Sequence, residues 1–397
     1  MNQRFYSLDI FRGATVALMI LVNNPGSWSH IYAPFEHAPW HGCTPTDLVF
    51  PFFLFAVGTA MAFTMPRLHG TGTAVFLQKV FKRSLLIFGI GLLLNWSPFI
   101  RWDGDHLVAK SWSNLRILGV LQRIAICYLF ASLLVYFLNP RQALLASFTL
   151  LFAYWILCLL LGNPDDPFAL EGFWGTHADR SILGNNHIYK GEGVPFDPEG
   201  LASSLAAIVQ VVAGYFAGRY IRQNAHGKEL SVQQRTREDS LYRMIAHLFI
   251  AGFVLVIGGL CWSLVFPINK KIWTSSYVLY TSGLATMVLC TVIYMVEIRG
   301  YRGWLARFFD PFGKNPLFIF VLSGFLPRLL GLLRVSAYQD AEGNKHYLAP
   351  FEWFYEHICK PLFANPKNGS LIYALCMIVF YWLIVKWLDT KKIYIRV

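Results

Sequence analysis

Long runs of apolar residues, separated by polar segments, recur along the whole chain. About ten of these runs have the roughly 20 residues that an α-helix needs to cross about 30 Å of hydrocarbon. The pattern therefore predicts an all-α, polytopic membrane protein with about ten transmembrane helices in one domain over residues 1–397. The runs lie near residues 7–24, 44–65, 76–95, 115–138, 141–161, 201–222, 242–265, 275–297, 314–333 and 370–389.

The composition supports the same class of protein. Hydrophobic residues make up 55% of the 397 residues and charged residues only 14%, which is too apolar for a soluble domain. The N-terminus runs into the first apolar segment without a small-residue cleavage site, so we expect this segment to be kept as a span. We find no internal repeat, which disfavours a transporter built from inverted repeats.

The formal net charge of +12 would suggest a nucleic-acid ligand in a soluble protein. Here the orientation of the spans explains it, so we expect no nucleic-acid partner. If the N-terminus is cytoplasmic, most of the 34 Lys and Arg residues fall at inner ends and loops, which predicts that both termini are cytoplasmic. The outer segments are then 25–43, 96–114, 162–200 and 334–369, and a basic inner loop at 223–241 is expected to be solvated.

Residues 35–58 join a polar, histidine-bearing loop directly to an apolar helix. The run Thr44-Pro45-Thr46-Asp47 has the form of a capping box, with proline at the first helical position. The free N–H groups of this helix would face His37, whose imidazole is suited to exchange a proton or an acyl group near neutral pH. We predict a reaction centre here with His37 and Asp47 as catalytic residues, although capping alone would also explain Asp47.

Other polar residues on the outer side have two interpretations each. Asn23 ends the first span, which is reason enough for its presence, but its amide can also donate to a carbonyl oxygen. Trp40 belongs to an interfacial aromatic belt or stacks on a sugar ring. His41 lies close to His37, but Pro39 breaks any helix that would align the two as metal ligands, so we expect no metal.

Polar residues near the inner ends of spans, and Arg123 deep in span 4, are candidates for phosphate binding. Arg12 pairs with Asp9 on one helix face or binds an anion, and Arg123 in span 4 needs a carboxylate or a phosphate. Lys314 and Asn315 open span 9, where capping explains Asn315 and the helix N-terminus suits a phosphate group facing the compartment that holds coenzyme A.

Several segments together resemble the heparan-α-glucosaminide N-acetyltransferase family, and the likeness covers nearly the whole chain. The residues that carry it are Ser7-x-Asp9-x-Phe11-Arg12-Gly13, Val22-Asn23, Phe35-x-His37-Ala38-x-Trp40-x-Gly42-x-Thr44-x-x-Asp47-Leu48-Val49-Phe50-Pro51, Gly119-Val120-Leu121-Gln122-Arg123, Leu183-Gly184-x-x-His187-x-Tyr189, Asp197-Pro198-Glu199-Gly200 and Pro267-x-Asn269-Lys270-x-x-Trp273-x-x-Ser276-Tyr277.

The resemblance implies an acyltransferase that takes acetyl-CoA from the cytosol and acetylates a terminal glucosamine across the membrane. The family's active-site histidine matches His37 and its functional asparagine matches Asn23. We assign Arg12, Arg123, Lys314 and Asn315 to the acetyl-CoA site, and Trp40, His41 and His187 to the acceptor site. The chain departs from the animal enzyme in carrying His41 where that enzyme has Asn, and we expect it to lack the luminal domain.

These features lead us to expect a homodimer in the bacterial inner membrane, in contact with lipid, with the active-site loop on the outer face. The acceptor is expected to be an amino sugar or an oligosaccharide that carries one. Two other functions fit the sequence: a sugar transporter of the N-acetylglucosamine type, and an O-acyltransferase of an envelope polysaccharide.

Overall fold

The computed structural model describes residues 5–225, 234–339 and 345–395, and these residues form a helical bundle. Two short antiparallel hairpins lie among the helices, with Arg101 opposite Val108 in the first and Val335 opposite Leu348 in the second. The helices are α1 Tyr6–Asn23, α2 Val49–His69, α3 Thr73–Trp96, α4 Val120–Phe137, α5 Pro140–Leu161, α6 Trp174–Leu183, α7 Leu201–Ala225, α8 Gln234–Trp262, α9 Ser275–Ile293, α10 Trp304–Lys314, α11 Pro316–Leu330, α12 Pro350–Phe354 and α13 Pro366–Thr390. The strands are β1 Ile100–Asp103, β2 His106–Ala109, β3 Val335–Gln339 and β4 Lys345–Leu348.

Each of the ten apolar runs predicted as spans contains a helix. Among the described residues, eight helices are long and apolar enough to cross a membrane. The other two runs form α3, which carries Lys79, Lys82 and Arg83, and α11, which has only 15 residues. The chain is thus an all-α, polytopic membrane protein, while the count of ten and the orientation of the termini stay predictions.

Glycine allows the central helices to pack backbone to backbone. Gly58 of α2 lies against the backbone of Val211, and Gly214 of α7 lies against the backbone of Phe55. The same arrangement joins α1 and α10 through Gly13 and Gly313. Small residues at such crossings are typical of membrane helices, where close van der Waals contact replaces the hydrophobic effect as the driving force.

The helices differ in how far they are enclosed by the protein. The most apolar window of α7 is 78% buried, whereas those of α5 and α8 are each 22% buried. Helix α7 therefore lies at the centre of the bundle, and α5 and α8 lie at its periphery.

The polar segments collect at the two ends of the bundle. At one end, called the histidine end, the loops bond to one another: the Trp40 indole donates to Phe168 O at 2.8 Å, and Gly42 N donates to Ile268 O at 2.7 Å. At the opposite end, Ser7 N donates to the Glu297 carboxylate at 3.0 Å, and Lys314 pairs with Asp389 at 2.9 Å.

The predicted loops contain short helices and strands of their own. Segment 96–114 holds the β1–β2 hairpin, 162–200 holds α6, and 334–369 holds a second hairpin and α12. The loop predicted at 223–241 is shorter, because α7 extends to Ala225 and α8 begins at Gln234, while residues 226–233 lie outside the described residues.

Candidate active site

The carboxylate of Asp47 organises the loop that precedes α2. It accepts hydrogen bonds from the backbone N–H groups of Thr44 and Ala38, each at 3.0 Å, and from the Thr44 hydroxyl at 3.1 Å. Its contact with Thr44 N closes the predicted capping box, although the first turn, Pro45–Leu48, is a 3₁₀ helix. The side chain is 1% exposed, and these donors offset the cost of burying its charge.

The imidazole of His37 is held by the same carboxylate. Its Nδ1 lies 2.6 Å from Asp47 Oδ1. This contact assigns the hydrogen of the neutral ring to Nδ1, so the lone pair is on Nε2. Because His37 remains 42% exposed, its Nε2 is able to exchange a proton with a bound molecule.

The third charged group at this point is Lys270, from the loop between α8 and α9. Its Nζ lies 3.0 Å from His37 Nδ1 and 3.4 Å from Nε2, and 3.5 Å from Asp47 Oδ1. Burial lowers the pKa of Lys270 from its ordinary value of 10.5, while the Asp47 carboxylate opposes that shift. The hydrogen bond from Gly42 to Ile268 fixes the two loops side by side and so brings these residues together.

His37 lies where two cavities meet. The smaller, of about 140 Å³, extends among α1, α2, α4 and α11 and is lined by apolar groups such as Phe53 and Phe320. The larger, of about 250 Å³, lies among the loops and is lined by aromatic and charged groups. Both cavities are lined by His37, Val120, Glu199 and Lys270.

Ion pairs fix the charged wall of the larger cavity. The Arg116 guanidinium pairs with Asp197 at 2.6 Å and also with Glu199. Burial alone would lower the pKa of Arg116, but the two carboxylates outweigh it and raise that pKa. Lys271 pairs with Glu192 at 2.6 Å and lies 5.8 Å from the centre of the Trp40 ring.

The three residues predicted to be catalytic are brought together. Asn23, at the last turn of α1, lines the smaller cavity with His37, and Asp47 lines the larger one. Trp40, predicted to bind the acceptor, also lines the larger cavity. The assignment of catalytic roles to these residues stays a prediction.

The other two predicted acceptor residues do not line either cavity. The Nδ1 of His41 lies 3.3 Å from the amide of Asn269, and burial lowers the pKa of His41. His187 Nδ1 contacts Leu115 O at 2.7 Å and so ties two loops together. In the described part of the chain, no three His, Cys, Asp or Glu side chains are grouped as metal ligands.

Arg123 lies at the histidine end, in the first turn of α4. Its fully buried guanidinium donates to Gly200 O at 3.1 Å and to the Ser203 hydroxyl, and it stacks over the Trp273 ring at 5.0 Å. Trp273 in turn lines the larger cavity. Arg123 therefore supports the cavity wall rather than forming it.

The remaining residues assigned to acetyl-CoA lie at the opposite end. Arg12 contacts Asp9 and donates to Gly313 O at 2.7 Å, and Lys314 lies between Asp310 and Asp389. The Asn315 side chain bonds to the backbone of Ile393 and Ile395 near the C-terminus. Arg12 is about 16 Å along α1 from Asn23. A cofactor role for these residues stays a prediction.

Five charged residues that line the cavities were not predicted as site residues: Arg116, Glu192, Glu199, Lys270 and Lys271. Of these, Lys270 and Glu199 line both cavities. Both lie in segments that carry the family resemblance, Pro267–Tyr277 and Asp197–Gly200, and that was the signal available for finding them.

Comparison with known proteins identifies proteins of similar sequence. Residues 4–170 match the family described as heparan-alpha-glucosaminide N-acetyltransferase, catalytic. This chain is related to that family. The human heparan-alpha-glucosaminide N-acetyltransferase is 29% identical over 80% of this chain and 52% of its own length. The mouse enzyme of the same name is 28% identical over 80% of this chain and 53% of its own length.

The chain thus spans about half the length of these heparan-alpha-glucosaminide N-acetyltransferases. The matched segment 4–170 includes Asn23, His37 and Asp47. Lys270 lies beyond it.

Proposed function

We propose that this protein is a transmembrane acetyltransferase that moves the acetyl group of acetyl-CoA to an amino sugar. The observation that carries the proposal is the position of His37, whose ring borders two cavities of different character while Asp47 holds its Nδ1. The relation to the heparan-alpha-glucosaminide N-acetyltransferases supports the same chemistry.

The smaller cavity suits the donor. Its walls are mostly apolar, and Phe53 lies six residues along the chain from Asp47, so the space runs roughly 9 Å into the bundle. A pantetheine arm is narrow and carries few polar groups, which fits such a space. The acetyl thioester would then reach His37, with the coenzyme A nucleotide toward the opposite end.

The larger cavity suits the acceptor. Trp40 offers an aromatic ring against which the apolar face of a sugar stacks. Glu192 and Glu199 offer carboxylates to an amine or to hydroxyl groups. An amino sugar bound here would present its nitrogen to His37.

His37 would act as the general base. In direct transfer, the acceptor nitrogen bonds to the acetyl carbon, the carbon–sulfur bond breaks, and the proton lost by nitrogen passes through His37 Nε2 to the CoA thiolate. Asp47 holds the ring in the tautomer that makes this possible. Lys270 and Asn23 would stabilise the negative oxygen of the tetrahedral intermediate.

An acetyl-histidine relay uses the same residues. His37 Nε2 would first bond to the acetyl carbon while the carbon–sulfur bond breaks and CoA leaves as the thiolate. The acceptor nitrogen would then bond to the acetyl carbon, the bond from that carbon to Nε2 would break, and the proton lost by nitrogen would pass to the freed Nε2. Incubation with labelled acetyl-CoA in the absence of acceptor distinguishes the two routes. Label on His37 supports the relay, and its absence supports direct transfer.

The decisive test uses purified protein, acetyl-CoA and either glucosamine or a chitosan or heparan fragment. Wild-type protein should release CoA and form an N-acetylated product. His37→Ala should lower the rate by roughly two to four orders of magnitude, because it removes the base. His106→Ala, in the exposed β2 strand, is the matched histidine control and should retain the rate.

Product analysis also separates the rival functions. Acetyl ester on the acceptor would identify an O-acyltransferase. Sugar flux into vesicles without acetyl-CoA, unaffected by His37→Ala, would contradict the proposal and favour a transporter.

We place the protein in a bacterial cytoplasmic membrane, as a homodimer with the histidine end outward.

A further inference from the structure

A second region of the bundle, remote from His37, contains a cavity that has no role in the proposed reaction. It has a volume of about 490 Å³ and lies between α5, α7, α8 and α9. Along α7 it reaches from Val209 to Tyr220, a length of about 16 Å. That length is close to half of the roughly 30 Å hydrocarbon thickness of a bilayer, or one leaflet.

This cavity is a groove that opens between the two peripheral helices, α5 and α8. Toward the histidine end, α5 and α8 meet where Phe152 and Trp155 contact Trp262, with ring centroids 4.7 and 5.8 Å apart. Toward the opposite end, Leu144 on α5 and Ala251 on α8 both line the cavity, so the helices form its two side walls there. Because α5 and α8 are mostly unburied, this space faces the hydrocarbon of the membrane.

The wall is apolar along most of its length. Ser147 and Thr286 direct their hydroxyls to carbonyl groups of their own helices, Ala143 O and Ser282 O, at 2.8 Å each. Polar groups are concentrated at the end nearest the bilayer surface, where the Tyr220 hydroxyl contacts His247 Nδ1 at 2.7 Å. The groove therefore has an apolar shaft and a polar mouth.

Two arginines flank that mouth. Arg141 precedes the groove residue Leu144 by three positions on α5, and Arg243 precedes His247 by four on α8, so each shares a helix face with a wall residue. Both are exposed, and neither forms an ion pair among the described residues. We infer that the groove binds an anionic phospholipid, with one acyl chain along α7 and the phosphate between Arg141 and Arg243.

The two cations argue against a second copy of this chain as the occupant. A two-fold interface brings the same patch of each subunit together, which would gather four arginines in one interface. A lipid phosphate instead complements both charges. Each basic residue near the membrane surface is worth about 1 kcal/mol toward an anionic headgroup.

The test is native mass spectrometry of the full chain, delipidated and then incubated with phosphatidylglycerol or phosphatidylcholine. Wild-type protein should bind one phosphatidylglycerol per chain in preference to phosphatidylcholine. The double variant Arg141→Gln/Arg243→Gln should weaken phosphatidylglycerol binding by roughly 30-fold and remove the preference.

Groove occupancy is tested separately. Ala251→Trp places an indole in the shaft and should abolish binding of both lipids. Leu160→Trp, at a residue of α5 that is 74% exposed, adds the same group outside the groove and should leave binding intact. Equal binding of the two lipids by wild-type protein, or Ala251→Trp that binds as wild type, would overturn the inference. Dissociation of a dimer on Ala251→Trp would also overturn the inference, because a second copy of the chain would then occupy the groove.

Discussion

The ammonium of Lys270 lies nearer to the ring of His37, at 3.0 Å, than to the carboxylate of Asp47, at 3.5 Å. In the proposed reaction the ammonium is therefore placed to stabilise negative charge that develops beside His37, while Asp47 holds the imidazole in position.

The lowered pKa of Lys270 predicts how activity depends on alkaline pH. Deprotonation of Lys270 removes the ammonium at a pH below 10.5, so the rate should fall there. Lys270→Arg should lose this alkaline limb because a guanidinium does not titrate in that range. Lys270→Met should be roughly 100-fold slower than wild type where Lys270 is protonated, as for loss of an oxyanion donor, and this difference should shrink as the pH rises through the Lys270 pKa.

The measurement is kcat as a function of pH for wild type and both variants. Lys190→Arg, at an exposed loop position, is the matched control and should keep the wild-type profile. An alkaline limb that persists unchanged in Lys270→Arg would show that Lys270 is not the titrating group.

The sequence predicted the local part of the site and missed the distant part. His37 and Asp47 are ten positions apart in one loop, and the capping pattern already linked that loop to a helix start. Lys270 is 233 positions from His37. Only the packing of two loops makes them neighbours, and no local pattern carries that information.

At the scale of elements, the crossing of α2 and α7 depends on the absence of a side chain at Gly58. A Cβ there would overlap the Val211 carbonyl. Gly58→Ala should therefore destabilise the protein by about 1–3 kcal/mol, because the helices must separate.

Thermal unfolding in detergent provides the measurement. Gly89→Ala in α3 is the matched control, since nothing lies within 4 Å of a Cβ added there. It should be neutral or slightly stabilising, because Ala favours the helix over Gly. Equal melting temperatures for the two variants would show that the α2–α7 crossing tolerates a wider spacing.

The short helix α6 carries a carboxyl that couples folding to pH. Burial raises the pKa of Asp179 to about 6, although the backbone N–H of Leu201 donates to its carboxylate at 2.9 Å. The folded state thus binds this proton more tightly than the unfolded state. The resulting stabilisation is complete below the ordinary pKa of 3.8 and is lost as the pH rises through 6.

Asp179→Asn should match wild type in stability near pH 3.8 and exceed it by about 3 kcal/mol at pH 7.5, since an amide does not ionise and can still accept from Leu201 N. Melting temperatures across this pH range check the expectation. Asp165→Asn, an exposed aspartate, should follow wild type throughout. A constant offset between Asp179→Asn and wild type would contradict the assigned titration.

Apolar runs predicted the long helices well because the need to satisfy backbone hydrogen bonds in hydrocarbon leaves little choice of structure. The bounds of α1, α5 and α9 differ from the predicted runs by only a few residues. The hairpins and α6 were not predicted, because these short elements at the bundle ends are determined by contacts with other loops, such as Trp102 donating to Leu332 O.

For the molecule as a whole, the distribution of basic residues predicts that the histidine end faces outward. Two introduced cysteines test this in a Cys261→Ala background: Ser113→Cys at the histidine end and Lys391→Cys after α13, both at exposed positions. In intact cells, a membrane-impermeant maleimide should label Ser113→Cys only. Lys391→Cys should react after permeabilisation, and the reverse pattern would show the opposite orientation.

The pairing of Gly42 with the segment at Ile268 and Asn269 has a consequence for biosynthesis. A nascent chain that ends after α8 already contains His37 and Asp47 but does not yet contain Lys270. The reaction centre is therefore completed only when late-translated sequence returns to the earliest loop. If the chain is divided within 226–233 and the two fragments are produced in the same cell, they should be active only when they associate. The enzymatic rate would then measure how far the fragments assemble in the bilayer.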